Sequence, residues 1–189
     1  MKFTPARSYL AAAALVLSAC NSGDGNAPPA AAGATPEQVA SCVGSFAGNS
    51  TVSVTNVCTG GCGVNESRNA ADGNRQTYAS MMFKDNGGFA TLRATAPSGV
   101  VFPGGNFAGA IINFPAVNGT SARSMFFRTW LAGVPQEIDL ISGPDDVARG
   151  EDKRYGFNTV LPFDAVEVQI TDNGNFDPEE IRVYEFCGR

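Results

Sequence analysis

The chain has 189 residues and a formal net charge of −5, and it contains no histidine. The lack of histidine excludes catalytic triads, general bases and metal sites that are built on imidazole. An acidic chain without a run of basic residues is also not expected to bind nucleic acid.

A short apolar segment follows two basic residues at the N-terminus. Lys2 and Arg7 precede Tyr9–Leu17, which is too short to span a bilayer core of about 30 Å. The segment leads into Leu-Ser-Ala-Cys20, which resembles the lipobox of bacterial lipoproteins. The resemblance implies a signal peptide over residues 1–19, cleavage before Cys20, and acylation of that cysteine, palmitate included. The alternative is an ordinary secretory signal in which the cysteine follows the cut by chance.

Residues 20–38 are predicted to be the lipidated cysteine and a disordered tether. The stretch from Asn21 to about Gln38 is rich in alanine, glycine and proline and has no large apolar residue. Because it can bury little apolar surface, it should stay disordered and hold a domain off the membrane. Among lipoproteins, Asn21 rather than aspartate after the cysteine implies the outer membrane. Loss of Lys2 and Arg7 with the signal takes the formal charge from −5 to −7.

Four cysteines remain in residues 39–189, which suit a single domain. Four cysteines allow three pairings, and we favour Cys58 with Cys62, across Thr-Gly-Gly, and Cys42 with Cys187 at the ends of the domain. The second bond would stabilise the domain by roughly 4–5 kcal/mol through loop closure. The alternative, a zinc site with four thiolates, is disfavoured because there is only one close pair and the chain is exported.

Strand signals recur along the domain and are separated by turn signals such as Asp85-Asn86-Gly87-Gly88. Helical periodicity is confined to residues 36–43 and 147–153. Many short strands with glycine-rich turns indicate an all-β antiparallel sandwich or barrel. The predicted strands are Thr51–Val57, Phe89–Ala96, Phe107–Phe114, Met125–Leu131, Glu137–Ile141, Ala165–Thr171 and Ile181–Phe186.

Two patches of sequence resemble one fold family. Residues 69–79 read NAADGNRQTYA and residues 181–188 read IRVYEFCG. Together they resemble the galactose-binding-like jelly rolls, which include discoidin-type domains and many carbohydrate-binding modules. The resemblance implies an antiparallel jelly-roll β-sandwich whose ends are often joined by a disulfide, as Cys42–Cys187 would join them. Tyr78 stands where discoidin-type loops usually have tryptophan, and no glycan-contact residues of the sugar-binding members are matched.

The same resemblance implies a structural calcium ion at the early loop. By position, Asp72 and Asn74 would supply side-chain oxygens, Asn69 a carbonyl oxygen, Thr77 an oxygen, and Glu185 a carboxylate from the last strand. Calcium takes six to eight oxygen ligands, and a glycine turn allows them to converge. The alternative is an Asx turn whose side chains bond the backbone of the loop itself.

Candidate ligand-binding residues come from alternation along Met125–Leu131. Met125, Phe127, Thr129 and Leu131 share one face, which is the better core face. Phe126, Arg128 and Trp130 then form an outward stripe that can stack on sugar rings and donate hydrogen bonds. The alternative is that a loop or the other sheet covers the stripe, since tryptophan is usually mostly buried.

An enzymatic function has little support in the sequence. No pattern places two carboxylates across a cleft, as glycoside hydrolysis needs, and no glycine-rich phosphate loop is present. The chain is therefore predicted to be a non-catalytic, membrane-anchored module that binds a glycan or another envelope or host-surface ligand. Two alternatives remain: an assembly lipoprotein that binds another envelope protein, and a hydrolase with an unrecognised site.

Overall fold

The computed structural model describes Cys42 and residues 44–58, 61–83, 88–115, 123–142, 150–172 and 179–189. The predicted signal peptide, Cys20 and the tether lie outside these residues. Among the described residues, no helix has both the length and the apolar character needed to cross a membrane.

The described residues form two five-stranded sheets in which every pair of neighbouring strands is antiparallel. The front sheet has the order β1-β4-β9-β6-β7 and the back sheet the order β2-β3-β10-β5-β8. The chain passes repeatedly between the two, so the predicted all-β jelly-roll sandwich is confirmed. The strands are β1 Thr51–Cys58, β2 Cys62–Asn65, β3 Ala79–Phe83, β4 Gly88–Thr95, β5 Phe107–Asn113, β6 Arg123–Leu131, β7 Val134–Ser142, β8 Lys153–Asn158, β9 Ala165–Asp172 and β10 Glu179–Cys187, with a 3-10 turn at Ser67–Ala71.

The core lies between the sheets and follows strand alternation. Leu92, Phe127 and Val168 point inward from the front sheet, and Met81 and Val183 from the back sheet; all five are fully buried. Burial of a large apolar side chain stabilises the fold by about 1.5–3 kcal/mol.

One end of the sandwich is closed by phenylalanines and by a disulfide. The ring centroids of Phe46 and Phe102 lie 5.1 Å apart, and those of Phe46 and Phe186 lie 6.2 Å apart. Cys42 is bonded there to Cys187, across a sequence separation of 145. We call this the disulfide end. Cys58 is bonded to Cys62, so both predicted pairings are present.

Three strands, β2, β3 and β8, were not predicted from the sequence. β3 (ASMMF) has no β-branched residue, but it lies between β2 and β10, and pairing on both sides outweighs weak propensity. β8 contains Gly156 opposite Gly109. The predicted helical stretch 147–153 is not borne out at its C-terminal end, where Lys153 begins β8. Residues 147–149 lie outside the described residues. Of the other predicted helical stretch, 36–43, only Cys42 is described.

We expect the Cys42→Ala/Cys187→Ala variant to lose about 5 kcal/mol of unfolding free energy, because this bond closes nearly the whole domain into one loop. The Cys58→Ala/Cys62→Ala variant opens a loop with a sequence separation of only 4 and should lose about 2 kcal/mol. Urea unfolding followed by circular dichroism measures both values. Equal losses would contradict the loop-closure account.

Candidate functional site

The outward face of the front sheet carries the stripe that alternation along β6 predicts. Met125, Phe127 and Thr129 are buried in the core, whereas Phe126 and Trp130 are half-buried on the opposite face. Arg128 lies between these two aromatic residues on the same face and is also half-buried. Leu131, predicted to be in the core, is only half-buried, because it is the last residue of β6.

Glu167 lies at the centre of this face, where the register places it between Arg93 of β4 and Arg128 of β6. Its Oε2 accepts hydrogen bonds from Arg93 Nε at 2.9 Å and Nη2 at 2.7 Å. Its Oε1 accepts one from Arg128 Nη1 at 3.0 Å. Glu167 is only 4% exposed, so one carboxylate orients two guanidinium groups on the surface of the sheet.

Trp130 is part of the same cluster. The guanidinium carbon of Arg93 lies 3.7 Å from the centroid of the Trp130 ring, and that of Arg128 lies 5.7 Å from it. Ala165, which pairs with Trp130 in the sheet, is only 2% exposed. One face of the ring is therefore stacked against Arg93, and Nε1 is buried without a hydrogen-bond partner among the described residues.

Apolar and polar side chains continue this surface along β6 and β7. Phe126 lies between Gln169 of β9 and Leu140 of β7, and Arg128 lies beside Ile138. Ile138 and Leu140 are 56% and 52% exposed, respectively. We call the whole set the β6 surface; it consists of Arg93, Phe126, Arg128, Trp130, Ile138, Leu140, Glu167 and Gln169.

The loop around Asp72 folds largely on its own hydrogen bonds. Asp72 Oδ1 accepts from the Asn74 backbone N–H at 2.8 Å, and Asn74 Oδ1 accepts from the Gln76 N–H at 3.1 Å. The Thr77 hydroxyl lies 2.7 Å from Asp72 Oδ2. The Asn69 amide donates to Glu66 and to the Tyr78 carbonyl. These are the Asx-turn contacts of the alternative interpretation.

Glu185 reaches this loop from β10, as the sequence predicts. It is 0% exposed, and its Oε1 accepts the Gly73 N–H at 2.6 Å. Its Oε2 is buried without a partner among the described residues. Burial and the neighbouring Asp72 carboxylate raise the pKa of Glu185 to about 7, although the bond from Gly73 opposes this.

An unpaired buried carboxylate oxygen beside a second carboxylate is a feature that a hard cation would satisfy. Asp72 and Glu185 fit calcium in this respect. The Asn74 and Thr77 oxygens are already engaged within the loop. The described residues contain no group of three or more His, Cys, Asp or Glu able to hold a metal, so neutral oxygens would have to complete the shell.

A second outward surface lies on the back sheet and was not predicted. The Tyr78 and Tyr184 ring centroids are 5.4 Å apart, and the guanidinium of Arg182 lies 4.8 Å from the Tyr78 centroid. Alternation of Arg182 and Tyr184 along β10 was a usable signal. Beside this surface is a groove of about 540 Å³, lined in part by Asn65, Ser80, Met82 and Glu180.

No family model matches the chain, and no curated protein matches it. Among solved structures, the carbohydrate-binding module TmCBM61, in complex with β-1,4-galactotriose, is 12% identical; the match covers 76% of this chain and 89% of that one, with a TM-score of 0.39. The family 32 module of C. perfringens NanJ, in complex with galactose, is 18% identical over 72% of this chain and 93% of that one, with a TM-score of 0.41.

A third structure, from a study of promiscuous carbohydrate-binding modules of the β-sandwich superfamily, is 14% identical over 74% of this chain and 56% of that one, with a TM-score of 0.43. The likeness concerns architecture. Function belongs to sites rather than folds, so the ligand class has to follow from the residues.

In metal-free buffer we expect the unfolding free energy to fall as the pH rises from about 4.5, the ordinary pKa of a glutamate, to about 7. In that window the folded chain keeps the proton on Glu185 and the unfolded chain has released it, so the folded state loses its advantage as pH rises. This difference in the pKa of Glu185 accounts for a fall in unfolding free energy of up to roughly 3 kcal/mol. Thermal melts at pH 5 and pH 8 with EDTA measure it.

The Glu185→Gln variant should have a correspondingly flatter pH profile. Asp139→Asn, at an exposed position on β7, serves as the matched control and should keep the wild-type slope. A wild-type slope that survives in Glu185→Gln would contradict this assignment.

Proposed function

We propose that the chain is a non-catalytic carbohydrate-binding module that binds glycans on the β6 surface. One observation carries the proposal: Glu167 holds two arginines in fixed positions beside Phe126 and Trp130, on an outward face of the sheet. Aromatic rings, guanidinium groups, a carboxylate and an amide are the groups that recognise sugar hydroxyls and C–H faces.

Each part of the β6 surface has a separate role in this proposal. The Phe126 ring offers an apolar face for a sugar ring, whereas Trp130 mainly supports the arginines because Arg93 already stacks on it. Gln169, opposite Phe126 on β9, and Arg128, two residues further along β6, donate hydrogen bonds to hydroxyl groups. Because the guanidinium groups are already ordered, binding a glycan costs less side-chain entropy.

Stability alone gives little reason for such a network. Ion pairs near solvent contribute roughly 0–1 kcal/mol, and removing a carboxylate such as Glu167 from water offsets much of that attraction. The indole N–H of Trp130 has no partner among the described residues, which is a further cost of about 1–3 kcal/mol. Threonine and lysine side chains would cover the outward face of the sheet without these costs.

Protein binding is the second candidate, and a specific observation favours it. Ile138 and Leu140 are exposed on β7, the outermost strand of the front sheet. An exposed edge strand with apolar side chains can pair with an added strand from a partner. Cross-linking in cells that traps one envelope protein, together with no glycan binding, would establish this function instead.

The proposal includes lipid anchoring through Cys20 and a structural calcium ion at the Asp72 loop. Acylation of Cys20, with the Ala/Gly/Pro-rich residues 21–38 as the tether, would hold the module at the outer membrane. Calcium bound between Asp72 and Glu185 would join the early loop to β10. Its role there is structural, since the loop and the β6 surface lie on different sheets.

We expect the Phe126→Ala and Arg128→Ala variants each to weaken glycan binding by about tenfold, equivalent to 1.4 kcal/mol. The measurement is a screen on immobilised galacto- and gluco-oligosaccharides followed by calorimetry with the best oligosaccharide. Tyr184→Ala, which removes a half-exposed aromatic ring from the back sheet, is the matched control and should bind like the wild type. Loss of binding in Tyr184→Ala alone would move the site to the back sheet and contradict the assignment.

We expect calcium to raise the melting temperature at pH 8, because a ligand that binds only the folded state stabilises it. Asp72→Ala should abolish that increase, and Asp139→Ala should leave it intact. If the wild-type melting temperature does not respond to calcium, the loop is an Asx turn without a metal.

A further inference from the structure

We infer that the disulfide end of the sandwich lies against the membrane and fixes the orientation of the module. The inference rests on the lipid anchor at Cys20 proposed above. The surface concerned, the apolar end, consists of Val100, Val101, Val134, Val160 and Leu161.

The apolar end collects exposed hydrophobic side chains from two loops and from Val134, the first residue of β7. Val160 is 81% exposed, Val134 58%, Val101 51%, Leu161 43% and Val100 40%. These are five of the nine large hydrophobic residues that are exposed among the described residues. Single exposed apolar residues are ordinary, but a cluster at one end of a domain marks a contact surface.

The two loops are held together, so the residues they carry form a fixed surface. Phe102 and Phe163 form a β-bridge, and the Gly105 N–H donates to the Thr159 carbonyl at 2.7 Å. A Cβ on Gly104 would lie 2.1 Å from the Val160 carbonyl oxygen, so only glycine allows the two loops to come this close.

Two carboxylates near the apolar end accept hydrogen bonds from backbone N–H groups of the same region. Glu137 accepts the N–H groups of Val160 and Leu161 at 2.9–3.0 Å. Asp164 Oδ2 accepts the Ala132 N–H at 2.8 Å. Both carboxylates thus fix the backbone that carries the valines. A charge-assisted bond to backbone N–H groups also satisfies an acid that would otherwise face lipid headgroups.

The chain leaves the described domain at this same end. Cys42 is bonded to Cys187, which pairs with Gly109 near the start of β5. The next residue, Gly188, accepts a hydrogen bond from Asn106 and packs on the Phe102 ring. The loops that carry Val101 and Val160 are therefore neighbours of Cys42, the first described residue after the proposed tether.

The length of the tether makes the membrane the occupant that fits best. Cys20 and Cys42 are separated by 22 positions, and the tether proposed from composition would span about 25 Å on average. An anchored domain meets its own membrane at a high effective concentration. Five aliphatic side chains, too few to bind a bilayer from solution, are then enough to set the orientation.

The test uses full-length protein in proteoliposomes of phosphatidylethanolamine and phosphatidylglycerol. Val160→Cys is labelled with an environment-sensitive nitrobenzoxadiazole probe, and Leu140→Cys, a 52% exposed position on β7, is the matched control. The native cysteines are bonded or acylated, so the introduced thiol alone reacts. We expect a blue shift and several-fold stronger quenching by spin-labelled lipid at position 160 than at position 140.

A second variant separates apolar contact from simple proximity. A probe at Val101→Cys should lose its blue shift when Val160→Asp is added, because a carboxylate resists entry into the interface. Acylation of Cys20 is determined by mass spectrometry of the N-terminal peptide. An acylated protein with equal signals at positions 160 and 140, or with cross-links between two copies at position 160, would overturn the inference and leave the anchor standing. A protein without the lipid would overturn the anchor itself.

Discussion

Glu167 is a nearly buried carboxylate on the outward face of a sheet, and the β6 surface depends on it. Its two oxygens fix Arg93 and Arg128, and Arg93 in turn stacks on Trp130. Without this charge the two guanidinium groups would repel each other, and the indole would lose its covering cation. One side chain thus determines whether the face presents an ordered array or separate mobile groups.

The register of the front sheet and the contacts at the disulfide end each hold part of the sandwich in place. The inward residues of β4, β6 and β9 fill the core with apolar atoms, which fixes the register of the strands. That register places Arg93, Glu167 and Arg128 side by side. At the disulfide end, Cys42–Cys187 and the phenylalanines hold the loops and the last strand together, so Cys42 is fixed beside β10.

Two features could be predicted from the sequence alone: the two faces of β6 and the pairing of the cysteines. The sequence separated Met125, Phe127 and Thr129 from Phe126, Arg128 and Trp130, and it paired the four cysteines of the domain. It also brought Glu185 to the Asp72 loop, through a resemblance rather than through spacing.

The sequence did not reveal the residues that depend on register between distant strands. Arg93 and Glu167 are 74 positions apart and Arg128 and Glu167 are 39 apart, and no local pattern says that they meet. β3 was missed for a similar reason, because pairing with β2 and β10 determines its conformation. The cluster of Val101 and Val160 needed the loops to be placed in space.

The only tryptophan of the chain allows a direct measurement of the central claim, which is that the ligand binds beside the Glu167 network. In a ¹H–¹⁵N spectrum, the indole resonance of Trp130 is a single signal that can be followed during titration with a bound oligosaccharide. We predict that this signal and the Arg128 guanidinium signals shift together as the oligosaccharide is added. Both shifts should saturate and give the same dissociation constant. Shifts confined to the backbone of β3 and β10, with the indole signal unmoved, would contradict the account.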